Sequence, residues 1–265
     1  GETLIRIEAL IKKKHGIILV TGPTGHGKST TLSASLAILN SPERCIITVE
    51  DPIEYQIQGV NQIQVNSKIE LTFARALRSI LRQNPDVIMI GEIRDRETAE
   101  IAVNASLTGH LVLSTLHTND ASGAPTRLID MGVEPFLVAS SLLGIIAQRL
   151  IRRVCTKCRE EYTPSDVELN ELGVDRASVQ GGHFYRATGC PTCNGSGYSG
   201  RTVVHELMVI DEDVRQLIVR SSDSGTIKKK AVEHGMKTLR EDGIAKVVAG
   251  ITTIEELLRA TQADE

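Results

Sequence analysis

A glycine-rich segment, GPTGHGKST, occupies positions 22–30 of this 265-residue chain. It fits the spacing G-x-x-x-x-G-K-[ST], in which backbone N–H groups surround a phosphate and the lysine reaches the terminal phosphates of a nucleotide. The sequence therefore predicts a phosphate-binding loop. The residues predicted to bind the nucleotide are Gly22, Pro23, Thr24, Gly25, His26, Gly27, Lys28, Ser29 and Thr30.

The residues on either side of this loop support the prediction. GIILVTG (16–22) is a short apolar run typical of a buried strand, and KSTTLSASLAILN (28–40) has helical periodicity. Phosphate is favoured at a helix N-terminus because its N–H groups are unpaired and partly positive. A glycine turn that only joins strand to helix is the alternative. We expect His26 to contribute its backbone amide, with a side chain that is tolerated and not catalytic.

Two further segments place carboxylates after predicted strands. Nucleotide hydrolysis requires Mg²⁺, an oriented water molecule and positive charge at the γ-phosphate. DVIMIGEIRD (86–95) contains Glu92, which we expect to contact a metal-bound water or to act as a base. TVEDPIE (48–54) holds three acidic residues, the last being Glu54, and such neighbours repel one another unless a cation or solvent compensates. An acidic surface turn is the alternative for this second segment.

Several arginines lie near these segments. Arg75, Arg78 and Arg82 recur at i, i+3 and i+7 and should share one helix face. Such a stripe is either solvated or directed at a γ-phosphate of the same or a neighbouring subunit, since a guanidinium fits phosphate oxygens. Arg94 and Arg127 are further candidates.

His117 follows the predicted strand LVLSTL (111–116), whose carboxyl end should lie beside the nucleotide. A histidine that belongs to the core is the default interpretation. The position would also suit a residue that senses the γ-phosphate.

Four cysteines form two C-x-x-C pairs that are separated by 31 residues. They are Cys155, Cys158, Cys190 and Cys193. In a reducing compartment such pairs are better explained by tetrahedral Zn²⁺ than by disulfides. Because protein fills all four positions, we expect a structural zinc. A disulfide or redox pair is the less favoured alternative.

The elements that would position these residues alternate in type along the chain. Apolar runs at 45–51, 86–92 and 110–117 alternate with helical patterns near 72–83, 95–107 and 121–131. Nearly continuous apolar strands are covered on both faces, which predicts an α/β fold with a mostly parallel sheet. We expect a nucleotide-binding core over 1–150, a zinc-binding Cys₄ module over 151–200, and a final strand (201–210) followed by a helical C-terminal end over 201–265.

Composition argues against some partners. Aromatic residues make up 3% of the chain, Trp is absent and the net charge is −3, so we expect no nucleic-acid binding. The lysine runs at 12–14 and 228–230 are typical of solvated faces. The apolar stretch FLVASSLLGIIA (136–147) is too short and too rich in serine to span a bilayer, and we expect a cytoplasmic protein. Because the first residue is Gly1, we also expect preceding regions to be missing.

The ordered segments GPTGHGKSTTL, TVEDPIEY, LRQNPDVIMIGEIRD and TGHLVLSTLHTNDA, followed by the four cysteines, resemble the Walker A, Asp box, Walker B and His box of bacterial secretion ATPases. Within that superfamily the chain is most similar to the type II secretion ATPases. The resemblance covers essentially the whole chain. Two departures are His26, where serine is commoner, and Gly91, which precedes Glu92 in place of the usual aspartate.

The resemblance implies a RecA-like P-loop NTPase core that uses ATP and Mg²⁺. It implies that Lys28 and Ser29 bind phosphate and Mg²⁺, that Glu92 acts at the metal or its water, and that Glu54 polarises the attacking water. It also implies arginines around the nucleotide or at subunit boundaries, matched here by Arg78, Arg82, Arg94 and Arg127. Which of Glu54 and Glu92 is the base stays open.

The resemblance further implies a hexameric motor, peripheral on the cytoplasmic face of the inner membrane, that drives pseudopilus assembly and the export of folded proteins. Its expected partners are inner-membrane platform proteins, reached through the missing N-terminal regions, and an acidic phospholipid surface. Pilus-assembly ATPases are the nearest alternative, because they also carry a cysteine module, whereas pilus-retraction ATPases lack one. A RecA-type DNA motor and a zinc-dependent module with a nucleotide switch are more distant alternatives.

Overall fold

The computed structural model describes residues 2–261, which fold as two compact units. The first comprises Gly1–Ala147 and Leu207–Met236, and the second Gln148–Glu206 and Lys237–Glu265. The segment 201–265, expected to form a final strand and a helical C-terminal end, is divided between the two units, because the chain passes from one unit to the other after residues 206 and 236. The assignment of separate functions to 1–150, 151–200 and 201–265 stays a prediction.

Nine strands lie within the described residues: β1 (Gly16–Thr21), β2 (Ile46–Glu50), β3 (Asn61–Gln64), β4 (Val87–Ile90), β5 (Leu111–Leu116), β6 (Leu142–Val154), β7 (Glu160–Glu161), β8 (Tyr185–Arg186) and β9 (Tyr198–Val209). The helices in the same range are α1 (Glu2–Ile11), α2 (Lys28–Leu39), α3 (Phe73–Ile80), α4 (Arg96–Leu107), α5 (Gly123–Asp130), α6 (Pro135–Ser141), α7 (Asp166–Leu172), α8 (Glu212–Val219), α9 (Ser224–Glu233), α10 (Leu239–Val248) and α11 (Ile254–Thr261).

Seven strands form one sheet in the order β3-β2-β4-β5-β1-β6-β9, and β7 pairs with β8 in an antiparallel ribbon. The pairings from β3 across to β6 are all parallel, as the apolar runs predict. Parallel strands present their carboxyl ends at one edge of a sheet, where ligands of α/β proteins bind. The segments that follow β1, β2, β4 and β5 therefore begin at the same edge.

The central strands are buried on both faces. Every residue of β1, β2, β4 and β5 is buried. Along β1, Ile17 and Leu19 belong to one apolar cluster, and Ile18 and Val20 belong to a second one. Side chains of a strand alternate between its two faces, so the sheet is covered by a separate core on each side. This confirms the expected α/β architecture.

Two parts of the fold were not predicted from the sequence. The apolar stretch 136–147 is divided between two elements, since α6 ends at Ser141 and β6 begins at Leu142. Apolar periodicity alone does not distinguish a buried helix from a buried strand. The polar strand β3 (NQIQ) was not predicted, because only its pairing with β2 at the sheet edge makes it a strand.

The second unit has its own apolar core, formed among others by Leu169, Phe184, Val247 and Leu257.

Helix α11 of this unit carries Glu256, which is fully buried and accepts hydrogen bonds from two arginines. Arg152 donates to Oε2 through Nε (2.9 Å) and Nη2 (2.6 Å), and Arg259 donates to Oε2 and Oε1 at 3.0 and 2.8 Å. Burial alone would raise the pKa of Glu256, but the guanidinium donors outweigh it and hold that pKa at about 2.

None of the helices in residues 2–261 combines the length and the apolar character that a membrane crossing requires.

We expect Glu256→Gln to reduce the free energy of unfolding at pH 7 by about 2 kcal/mol, because two guanidinium groups lose a buried anion while remaining partly exposed to solvent. The folded pKa lies below the unfolded value of roughly 4.3, so this stabilisation is present above that value and is lost as the pH falls towards 2. Urea unfolding monitored between pH 7 and 3 measures it. Glu255→Gln, on the exposed neighbour, is the control; equal stability of the two variants at pH 7 would contradict this account.

Candidate nucleotide site and metal centre

The loop between β1 and α2 has the backbone shape that its glycines predict. Gly22, Gly25 and Gly27 have φ values of 137°, 79° and 81°, which L side chains rarely adopt. Gly27 caps α2 and has no side chain to accept from the first-turn N–H groups, and that turn contains no acidic residue. These N–H groups are therefore available to an anionic ligand.

Lys28 points into this loop. Its Nζ donates to the carbonyl oxygens of Gly22 (2.7 Å) and Pro23 (2.9 Å), and the residue is only 9% exposed. Burial lowers the pKa of the Lys28 ammonium, and the nearby carboxylate of Glu92 partly offsets this. Phosphate oxygens would be stronger acceptors than these neutral carbonyls, because the hydrogen bond would join two charged groups.

The loop after β2 brings a carboxylate to the phosphate loop. Ser29 Oγ donates a 3.2 Å hydrogen bond to Oε1 of Glu54, 25 residues further along the chain. A hydroxyl and a carboxylate are hard oxygen donors of the kind that Mg²⁺ prefers. The Ser29 hydroxyl therefore fits a magnesium ion by the chemistry of its donor atom, and the Glu54 carboxylate lies beside it.

Glu50, which precedes this loop, has a different environment. It is buried at the end of β2, and its Oε1 accepts from Thr48 Oγ1 (2.6 Å) and Gln62 Nε2 (2.9 Å). The acidic residues at 50–54 therefore lie in different environments. The Glu50 carboxylate accepts hydrogen bonds from neutral donors within the sheet, whereas the Glu54 carboxylate accepts one from Ser29.

Gln62 is a positioning residue that the sequence did not reveal. Its Nε2 also donates to the Tyr55 carbonyl (2.9 Å), and its Oε1 accepts from the Ile57 N–H (2.8 Å). These bonds fix the loop that carries Glu54. The sequence gives no sign of this role, because Gln62 lies on the unpredicted strand β3.

Glu92 lies just beyond the end of β4 and is 9% exposed. Arg94 forms an ion pair with its Oε1, and His117 Nε2 lies 3.3 Å from Oε2. The hydrogen bond to Glu92 raises the pKa of Arg94. The structure thus brings together three predicted site residues, and His117 is half exposed and not part of the core.

The remaining arginines are arranged differently from the predicted stripe. Helix α3 ends at Ile80, so Arg82 falls in the following 3₁₀ turn and the prediction of one helical face for Arg75, Arg78 and Arg82 is wrong. Arg78 pairs with Glu97 of α4. Arg82 and Arg127 are exposed, and within residues 2–261 the structure gives neither side chain an ion pair.

The four cysteines of the second unit converge in space. The Sγ atoms of Cys155, Cys158, Cys190 and Cys193 all lie within 4.8 Å of one another. Sγ of Cys193 lies 3.8 Å from that of Cys158 and 3.7 Å from that of Cys190. Tetrahedral ligands at the usual Zn–S distance of ~2.3 Å would be separated by ~3.8 Å, so the cluster fits a Cys₄ zinc site.

Backbone donors favour the thiolate at this cluster. Burial opposes ionisation of Cys193, but the N–H groups of Cys190 and Gly197, each 3.2 Å from its Sγ, lower the pKa to about 6. Burial raises the pKa of Cys158 to about 11. A backbone hydrogen bond from Cys193 also lowers the pKa of Cys190. Metal ligation requires thiolates, so this arrangement favours the ligating form at two of the four cysteines.

Comparisons with known proteins agree with this geometry. The family described as "Type II/IV secretion system protein" matches residues 2–259. The chain is 56% identical over 258 residues to Type II secretion system protein E of Pseudomonas aeruginosa, covering 97% of the chain and 51% of that protein. It is 57% identical over 253 residues to Type II secretion system ATPase E of Vibrio cholerae, covering 96% and 50%. The Type IV pilus assembly ATPase PilB of Thermus thermophilus is 53% identical over 256 residues, covering 97% of the chain and 29% of PilB.

The chain thus spans about half the length of the first type II secretion relatives that it matches. Among solved structures, the pilus retraction motor PilT with bound ADP superposes with a TM-score of 0.71 at 32% identity, covering 96% of the chain and 64% of PilT. The family match over residues 2–259 and the identities above 50% lead to one conclusion: the chain belongs to the type II/IV secretion system protein family.

Proposed function

We propose that the chain is the ATP-hydrolysing part of a type II secretion motor, which powers pseudopilus assembly and the export of folded proteins across the outer membrane. This proposal rests on the hydrogen bond from the Ser29 hydroxyl to Glu54, because that bond places a carboxylate beside the loop into which Lys28 points. The names of the relatives from P. aeruginosa and V. cholerae support the secretion role.

In this proposal Lys28 and the N–H groups at the start of α2 bind the phosphates of ATP, and Ser29 ligates Mg²⁺. The magnesium ion would neutralise charge on the phosphates. Lys28 would exchange the carbonyl acceptors of Gly22 and Pro23 for phosphate oxygens and supply positive charge to the transferring group.

We assign the attacking water to Glu54 and not to Glu92. Both carboxylate oxygens of Glu92 are already engaged, Oε1 by the ion pair with Arg94 and Oε2 by the contact with His117, so neither oxygen is left to orient a water molecule. Glu54 has a hydroxyl as its partner. Glu92 would instead orient Arg94 and His117 within the site.

The active form is proposed to be a homohexamer on the cytoplasmic face of the inner membrane, with the platform proteins and acidic phospholipid as neighbours. Arg78 and Arg94 are engaged within the chain, so Arg82 and Arg127 are the arginines best placed to act on a neighbouring subunit's nucleotide. Measuring the mass of the chain in solution with MgATP tests the assembly. A purely monomeric, fully active chain would contradict it.

Type IV pilus assembly is the second candidate function. It is favoured by the 53% identity to PilB, which is close to the 57% shared with the V. cholerae secretion ATPase. The neighbouring genes separate the two candidates, since pseudopilin and pilin operons differ.

The first test concerns the phosphate loop. We expect Lys28→Ala to lower ATP turnover by roughly 100-fold, because positive charge is removed from the transferring phosphoryl group. His26→Ser should stay near the wild-type rate, since residue 26 contributes its backbone. Phosphate release under saturating MgATP measures both variants. A His26→Ser chain as inactive as Lys28→Ala would refute this account of the loop.

The second test concerns the cysteines. We expect about one zinc per chain, and Cys155→Ser should lose the metal and destabilise the second unit, because metal binding supplies folding free energy. ATP binding should persist, since the nucleotide site lies in the first unit. Elemental analysis and limited proteolysis measure these effects, with Cys45→Ser as the control outside the cluster. Freshly purified protein without zinc would disprove a zinc centre.

A further inference from the structure

The loop 117–122 joins β5 to α5 and begins with the histidine that contacts Glu92. Its conformation is organised around Asp120. Asp120 Oδ1 accepts from the Gly123 N–H (2.9 Å), and its carbonyl accepts from Thr118 Oγ1 (2.9 Å). Asp120 thus bonds to residues on both sides of itself, and one of them, Thr118, directly follows His117.

A lysine from a distant part of the sequence contacts the same aspartate. Nζ of Lys228, on α9, lies 3.4 Å from Asp120 Oδ2, which also accepts from Ser122 Oγ at 3.1 Å. The Lys228 and Asp120 side chains are 30% and 23% exposed. Such partly buried charges are screened less by salt than a pair on the open surface.

The three lysines at 228–230 therefore differ in their environments. Lys230 pairs with Glu233 at 2.8 Å within α9. Lys229 is exposed, and among residues 2–261 the structure gives it no ion pair. Of these three lysines, Lys228 is the one that joins α9 to the loop that carries His117.

Helix α9 itself has a fixed position in the first unit. Ile227 and Ala231 are buried in the same apolar cluster as Ala124 and Leu128 of α5. Ile227 directly precedes Lys228, so the backbone from which the lysine extends is anchored by packing. A charged side chain held in this way can restrain a loop, whereas one on a free helix could not.

We infer that Lys228 is a positioning residue that acts through Asp120 to hold loop 117–122, and thereby to keep His117 against Glu92. The effect on catalysis rests on the proposed ATPase function. The restraint on the loop does not depend on that function. A displacement of α9 would move Lys228 and, through its contact with Asp120, the loop 117–122. The position of His117 against Glu92 would then change as well.

The first experiment compares ATP turnover in matched variants of the 265-residue chain. Lys228→Met should lower kcat about fivefold to tenfold with little change in the KM for ATP, because the loop is displaced while the phosphate loop is intact. Lys229→Met removes the same charge from the same helix and should behave as wild type. Lys228→Arg should restore most of the rate. Equal kcat values for Lys228→Met and Lys229→Met would overturn the inference.

A second readout separates positioning from loss of stability and from loss of function. In chain labelled with ¹⁵N-histidine, the imidazole signals of His117, assigned with His117→Gln, should shift in Lys228→Met and not in Lys229→Met, while the urea midpoints of the two variants agree. This measurement stands even if the chain proves to have no ATPase activity. An unmoved His117 signal would overturn the inference whatever the turnover.

The partner residue gives a third comparison. Asp120→Asn keeps an oxygen to accept from the Gly123 N–H but loses the charge that Lys228 contacts, so it should reproduce the kcat of Lys228→Met. The double variant should be no slower than either single variant, because the two residues act in one step. Additive losses would show that Lys228 acts by another route and would reject the proposed tether.

Discussion

The parallel pairing of β1, β2, β4 and β5 is the constraint on which the site depends. Their register, in which Ile17 lies opposite Val112 and Ile88 opposite both Ile47 and Val112, aligns the four carboxyl ends. The phosphate loop, the Glu54 loop, Glu92 and His117 each follow one of these strands. Gly22 and His117, which are 95 positions apart in the sequence, therefore lie at the same edge of the sheet, because each follows directly after one of these strands.

The charged side chains at this edge are buried, and each needs a partner that offsets the cost of removing its charge from water. Lys28 and Glu92 are each only 9% exposed, and an isolated charge is costly to bury. The Lys28 ammonium donates hydrogen bonds to two carbonyl oxygens, and the negative charge of Glu92 is paired with Arg94. The acceptors of Lys28 are neutral, so a negatively charged phosphate is a better partner than the groups it now contacts. The site is therefore organised for an anion before one binds.

The sequence predicts the parts of this structure that depend on local chemistry. The backbone shape of the glycine loop after β1, the buried central strands and the converging cysteines each follow from residue type and spacing. Gln62 could not be predicted, because its role arises from pairing of the polar edge strand β3 with β2. The end of α3 before Arg82, the change from α6 to β6, and the contact of Lys228 with Asp120 likewise depend on tertiary packing, which the local pattern does not record.

We propose that Glu54 is the carboxylate that acts on the attacking water, at a site assembled from the glycine loop after β1 and the loop after β2. Comparing MgATP affinity with ATP turnover in Glu54→Gln, with Glu43→Gln at an exposed position as the control, decides whether Glu54 has this role. We expect Glu54→Gln to bind MgATP within about threefold of wild type, while its turnover falls about 100-fold. Unchanged turnover, or a loss of affinity as large as the loss of turnover, would contradict it.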